Sequence, residues 1–153
     1  IPKMRAGVDA FLVTGHRQLL PHRLTLLIEA QVGAGEHSAA AATLAEALAL
    51  TAQTGEHLWD AELHRLHGEL LCATAAPAGE ILSAFDHAIA VARGQQARIL
   101  ELRATVALCR YLQSQGRSAE ALTRLAPTFA WFTEGFGTPD LREASSMLDS
   151  LQP

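Results

Sequence analysis

Gly and Pro fall at spaced positions along this chain, and every segment between them has the length and period of a helix. The breaks lie at Gly15, Gly33-Ala34-Gly35, Thr54-Gly55, Pro77, Gly94, Gly116 and Gly135-Phe136-Gly137. Between them apolar residues return every three or four positions. Trp59, Leu63, Leu66 and Leu70 form one such stripe, and Ile81, Phe85, Ala88 and Ala92 a second. Ile99, Leu102, Val106 and Cys109 form a third, and Leu122, Leu125, Phe129 and Phe132 a fourth. No run alternates with period two for long enough to propose a strand. Ala, Leu, Glu, Gln and Arg dominate over β-branched residues, as helices favour. The expectation is an all-α chain of eight helices, at about 2–14, 18–33, 37–53, 57–74, 78–93, 97–115, 118–134 and 139–151.

The ends of these segments carry signals of their own. Pro2, Pro21 and Pro139 suit a first helical turn, where a missing N–H costs nothing. Thr138 is expected to cap the last helix, with Asp140 placing negative charge in its first turn. Gly55, Gly94, Gly116 and Gly135 follow periodic runs, as left-handed C-terminal caps do. Pro127 lies inside the seventh segment and is expected to kink it. Links of two to five residues make neighbouring helices antiparallel. Ala61-Glu62-Leu63-His64 aligns with Leu100-Glu101-Leu102-Arg103 at an offset of 39, and Gly55 with Gly94. A helix pair recurring at that spacing is the mark of stacked hairpins, each unable to bury its apolar face alone.

Composition excludes several classes. At 153 residues, one domain over 1–153 is expected. With 49% hydrophobic and 18% charged residues and a net charge of −4, the chain is too apolar for a disordered tail and lacks the basic surplus of a nucleic-acid binder. No apolar stretch reaches the roughly 20 residues of a membrane span, and no signal peptide is expected. Two cysteines make no disulfide framework and fit a reducing cytoplasm. The start at Ile1-Pro2, without Met, reads as a cut from a longer protein. Residues 1–14 are then the second helix of a truncated repeat, and 139–151 a capping helix. Such a cut end leaves oligomerisation open.

Within 57–93, Trp59 and Leu63 precede Gly68, Leu71 follows three residues on, and Phe85 and Ala88 stand in the second helix. Gly68 is where the two helices approach closely, and Ala88 and Ala107 can serve the same need. This order resembles the tetratricopeptide repeat, though the unit is longer than the usual span of about 34 residues. It implies a right-handed α-α superhelix of stacked antiparallel hairpins, a solenoid of three to four repeats. A more specific resemblance runs through TGEHLWDAELHRLHGELL (Thr54–Leu71) and WFTEGFGTPDLREASSMLDSL (Trp131–Leu151). These segments are similar to the carboxy-terminal tetratricopeptide-type region of large bacterial signalling proteins. Those proteins carry an AAA-type predicted ATPase domain, often behind a class III adenylate/guanylate cyclase domain. Gly137 departs from the pattern, standing where an acidic residue is expected. The resemblance implies a cytoplasmic bacterial regulator whose nucleotide chemistry lies outside this segment. In keeping with that, no GxxxxGK[ST] loop occurs, and the one lysine is Lys3.

Each chemistry-bearing residue also has a structural reading. His64 and His67 stand three apart on one helix, but the HExxH pattern of a zinc helix is absent and His57 is two turns from His64. Solvent-facing or groove-facing histidines are the plainer reading. Cys72 and Cys109 have no CxxC partner and read as small buried apolar groups. A nucleophilic role for either would need an adjacent histidine, for which His87 is the candidate, and a lowered pKa. Glu62, Glu69 and Glu101 alternate with Arg65 and Arg103, which reads as surface salt bridges worth under about 1 kcal/mol each. Phe129, Trp131, Phe132 and Phe136 are expected to seal the core end against Leu141, Met147 and Leu148, with Trp131 left partly exposed. The alternative is an exposed docking patch.

The functional surface expected from stacked hairpins is the inner groove lined by each first helix. Its candidates are Arg23, Glu62, Arg65, Glu69, Glu101, Ala104 and Tyr111. Mixed signs suit a short peptide or a helix carrying both charges and apolar anchors. The expected function is a non-catalytic module, with no cofactor or metal, for contact with a protein or peptide. Upstream domains of the same chain are among the candidate partners. The alternatives are a groove that senses a small effector and a metal-dependent hydrolase built on the histidines.

Overall fold

Eight helices account for the fold in a computed structural model that describes residues 1–15 and 19–152, and no strand occurs among them. They are α1 (Pro2–Val13), α2 (Leu20–Gly33), α3 (His37–Thr54), α4 (Asp60–Ala73), α5 (Ala78–Gly94), α6 (Arg98–Ser114), α7 (Ser118–Ala130) and α8 (Pro139–Leu151). The expected start of the second helix at residue 18 falls outside the described residues.

Two helices are shorter than the periodicity suggested. α4 starts at Asp60, not at 57, because a turn precedes it: the Asp60 N–H donates to the His57 carbonyl at 3.1 Å. Asp60 and Glu62 then put negative charge in the first turn, where the helix dipole favours it. α7 runs through Pro127 and closes at Ala130, short of 134. Pro127 has no N–H to give the preceding turn, and the helix ends within one further turn.

The ends of α2, α4, α5 and α6 share one closure. Gly35, Ala75, Gln96 and Gly116 all take left-handed backbone, with φ of 74°, 54°, 55° and 72°. The next residue's N–H then reaches back five positions: Glu36 to Gln31, Ala76 to Leu71, Ala97 to Ala92 and Arg117 to Leu112, at 2.8–3.0 Å. This double closure satisfies carbonyls that the helix leaves open. Gly55 and Gly135 also take positive φ, as expected. Gly94 does not, since it stays within α5 and the left-handed residue is Gln96. Thr138 does precede α8 in extended backbone, but its hydroxyl donates to the Gly135 carbonyl at 2.8 Å instead of capping the helix.

Each helix packs on its sequence neighbour, and a second set of contacts joins α2 to α4, α4 to α6 and α6 to α8. The core divides into three buried groups, the smallest made of Ala61, Ala92 and Leu100 where α4, α5 and α6 meet. One buried group holds Val8, Leu24, Ile28, Leu44, Leu63 and Leu66, from α1 to α4. A second large group holds Phe85, Leu102, Leu108, Leu112, Leu125 and Leu141, from α5 to α8. α4 joins them, giving Leu63, Leu66 and Leu70 to the first and packing Leu71 and Cys72 against the second. Gly68 makes that double packing possible. A Cβ there would stand 2.6 Å from the Phe85 ring, which is itself 1% exposed.

The aromatic cluster divides. Phe129 and Phe132 pack on the second core group beside Met147 and Leu148. Trp131 and Phe136 are exposed, and Arg98 lies over the Trp131 ring at 5.1 Å.

Candidate functional site

Because α2, α4, α6 and α8 contact one another in order, their outward faces share one cleft of about 390 Å³. Its apolar floor comes from α6, through Leu102, Val106 and Ala107. Its walls are charged. Arg65, 6% exposed, sits at the centre with four ion-pair contacts to three carboxylates. Its Nε and Nη2 donate to Glu62 at 3.0 and 2.8 Å, and its Nη1 donates to Glu69 at 2.6 Å. Nη2 also reaches Glu29 of α2 at 3.5 Å. Arg103 of α6 extends the set, 3.6 Å from Glu62 and bidentate to Asp140 of α8 at 2.7 and 3.1 Å. Arg110, two helical turns further along α6, stands 3.8 Å from Glu69 and pairs with Glu143.

The Glu62–Arg65 pair is not the surface bridge expected from the alternation of charge, whereas the Arg103 and Arg110 pairs with α8 are exposed. Glu62 and Arg65 are buried, because α4 lies between α2 and α6. Burial by itself would lower the Arg65 pKa. The Glu62 hydrogen bonds, then the charges of Glu62, Glu69 and Glu29, outweigh it and hold the guanidinium above its ordinary value. Hydrogen bonding to Asp140 does the same for Arg103. Both guanidiniums are therefore permanently ionised, in a network that runs from α2 to α8.

Of the residues expected in the groove, Glu62, Arg65 and Glu69 line this cleft. Arg23 lies beside it, in a smaller depression toward α1, with its guanidinium 4.1 Å over the Phe11 ring. Glu101 is 3% exposed and is held at the α5–α6 turn by Arg93 and Arg98, at 2.6 and 2.8 Å. Ala104 is fully buried, and Tyr111 is half-buried against the second core group. None of these last three lines the cleft. In their place stand His22, Leu26, Glu29, Arg103, Arg110, Asp140 and Glu143.

The signal for these residues lies in the turns. The left-handed residues Gly35, Ala75 and Gly116 stand 40 and 41 residues apart, not 39. Counted back from them, His22, Glu62 and Arg103 occupy one equivalent position and Glu29, Glu69 and Arg110 another. A slip of two residues turns a helix by about 200° and sends Glu101 to the opposite face.

The remaining reactive groups are elsewhere. Cys72 is half-buried, and burial followed by the charge of Glu69 pushes its thiol up to about 11. Cys109 is buried, donates to the Ala121 carbonyl at 3.2 Å, and is pushed up to about 11 by burial. Thiols so shifted are poor nucleophiles. His64, His67 and His87 share a shallow depression over α4 and α5, with His64 edge-on to His87 at 4.2 Å. His57 lies apart, its Nδ1 2.7 Å from Asp60. Among the described residues no group of three or more His, Cys, Asp or Glu is placed to hold a metal ion. Among those residues, too, no helix is long and apolar enough to cross a membrane.

Fold and cleft together define an all-helical chain with a charged groove along its even-numbered helices. Set beside known proteins, the chain matches no family model, no curated protein and no solved structure.

Proposed function

We propose that the chain is a non-catalytic helical-repeat module that binds a protein or peptide segment in the cleft along α2, α4, α6 and α8. In this reading the hairpins α2–α3, α4–α5 and α6–α7 are tetratricopeptide-like repeats of a right-handed superhelix, and α8 caps them. The resemblance of Thr54–Leu71 and Trp131–Leu151 to bacterial signalling proteins supplies the context. There the partner is another domain of the same regulator or a separate protein in the cytoplasm, and ATPase or cyclase chemistry lies outside this segment.

One observation carries the reading. An open cleft with an apolar floor and polar walls runs across four helices that contact one another in order. Extended peptides and single helices dock in such grooves by seating apolar anchors on the floor while charged rims fix their orientation. The test has two arms. The purified chain, given ATP or GTP with magnesium, should release no phosphate and form no cyclic nucleotide above buffer, and turnover would overturn the non-catalytic role. A random peptide library displayed on phage should yield binders that weaken when Leu26, an exposed apolar residue on the cleft rim, is changed to Ala.

A further inference from the structure

We infer that the segment this cleft accepts is cationic, carrying Lys or Arg side chains around an apolar anchor. The inference rests on the groove reading above and concerns the partner's chemistry. Five carboxylates, Glu29, Glu62, Glu69, Asp140 and Glu143, face three guanidiniums in the cleft lining. The lining therefore carries an excess of two negative charges, on a chain whose net charge is −4.

Hydrogen-bond supply decides the sign more firmly than the count. The guanidiniums of Arg65 and Arg103 are committed, and Arg110, the most exposed of the three, pairs through Nη2 with Glu143 and faces Glu69 with Nη1 at 3.8 Å. Arg65 uses Nε, Nη1 and Nη2 on Glu62, Glu69 and Glu29. Arg103 uses Nε and Nη2 on Asp140 and has Nη1 facing Glu62. An incoming carboxylate or phosphate would have to strip an existing pair from a guanidinium that is already neutralised. The carboxylates are not saturated. Glu29, Glu69 and Glu143 each accept through Oε1, and among the described residues Oε2 of each accepts no hydrogen bond. Glu29 and Glu143 are more than half exposed, at 59% and 52%, on opposite rims of the cleft. Ionised carboxylates accept only, so the groove offers lone pairs and needs donors. Lys and Arg provide them, and their alkyl stems can lie on Leu26, the exposed apolar residue of the lining, while the charged heads reach the rims.

The experiment selects the displayed peptide library against the full chain and reads the composition of the binders. Enrichment of Lys and Arg with depletion of Asp and Glu is expected. Synthetic copies of those peptides should lose affinity as salt rises. They should also bind roughly tenfold more weakly to a Glu29→Gln/Glu143→Gln variant, whose two exposed changes leave the buried Arg65–Glu62 pair in place. Peptides that weaken with Leu26→Ala but are acidic or uncharged would overturn the cationic class while the groove stands. Binders indifferent to Leu26→Ala and to the charge changes, or no binders at all, would overturn the groove and this inference with it.

Discussion

Gly68 is the residue at which a single methyl group decides whether α4 and α5 can meet. Its absent Cβ leaves the room that the buried Phe85 ring fills, and that ring has no exposed side to move into. Gly68→Ala should therefore destabilise the fold by about 1–3 kcal/mol, despite the better helix propensity of Ala. Gly7 gives the contrast. It lies in the interior of α1, and a Cβ there would meet nothing within 4 Å, so Gly7→Ala should stabilise by roughly 0.5–1 kcal/mol. Urea denaturation of both variants reads the pair, and equal signs would show that packing at Gly68 is not tight. His64 makes a second residue-scale prediction. Burial, then the neighbouring His87, lowers its pKa below the ordinary imidazole value of about 6.5, with His67 adding to the shift and Asp60 opposing it. The unfolded chain therefore takes up the proton first as pH falls. The stability tied to neutral His64 is complete above pH of about 6.5 and is lost as pH drops through the lower folded value. His64→Gln should lose less melting temperature between pH 7.5 and 5.0 than the parent chain, and parallel curves would remove the effect.

At the scale of elements, the repeated closure after α2, α4, α5 and α6 carries a cost in two places. Gly35 and Gly116 adopt left-handed backbone freely, but Ala75 and Gln96 take the same conformation with a Cβ in place. Both are exposed, so no lost contact offsets a change there. Ala75→Gly and Gln96→Gly should each stabilise by about 1 kcal/mol, after allowing for the greater freedom of Gly in the unfolded chain. For a chain of this size that is a rise of about 2–4 °C in melting temperature, and no rise would mean that the turns relax without strain. The same turns show how far the sequence could be read. Helix existence was legible because the apolar stripes repeat at three- and four-residue steps over segments of helix length. Helix ends were legible where Gly supplied the left-handed residue and hidden where Ala75 or Gln96 did, since neither residue type marks a turn. That gap shifted the repeat from 40 or 41 residues to 39. It placed Glu101 in the groove and left out Arg110, Asp140 and Glu143. Glu62, Arg65 and Glu69 were found because they share one helix face at three- and four-residue spacing. The burial of Glu62 and Arg65 was not legible, because nothing in α4 alone says that α2 and α6 will cover it.

For the whole molecule, the ion-pair network and the divided core meet at α4. The two larger buried groups lie on either side of this helix, and the network crosses it from Glu29 on α2 to Asp140 on α8. Arg65 is the central connection. Removing it leaves Glu62 buried at 5% exposure, with Arg103 at 3.6 Å as its nearest remaining cation. A poorly paired buried charge is far costlier than a missing surface bridge, so Arg65→Met should destabilise by about 3–5 kcal/mol. Replacing both partners is a different change. Arg65→Met/Glu62→Met removes the stranded charge together with its desolvation penalty, and most of the loss should return. Arg103 keeps Asp140 in that double variant, Glu69 keeps Arg110 at 3.8 Å, and Glu29 is open to water. Chemical denaturation of the parent, the single and the double variant decides the matter. A single variant that costs under about 1 kcal/mol would mean that water reaches Glu62 and that the network is a surface feature after all. A double variant as unstable as the single would mean that Arg65 acts through the geometry it imposes on Glu29 and Glu69. The groove would then lose its shape along with its charge, and peptide affinity should fall in both variants alike.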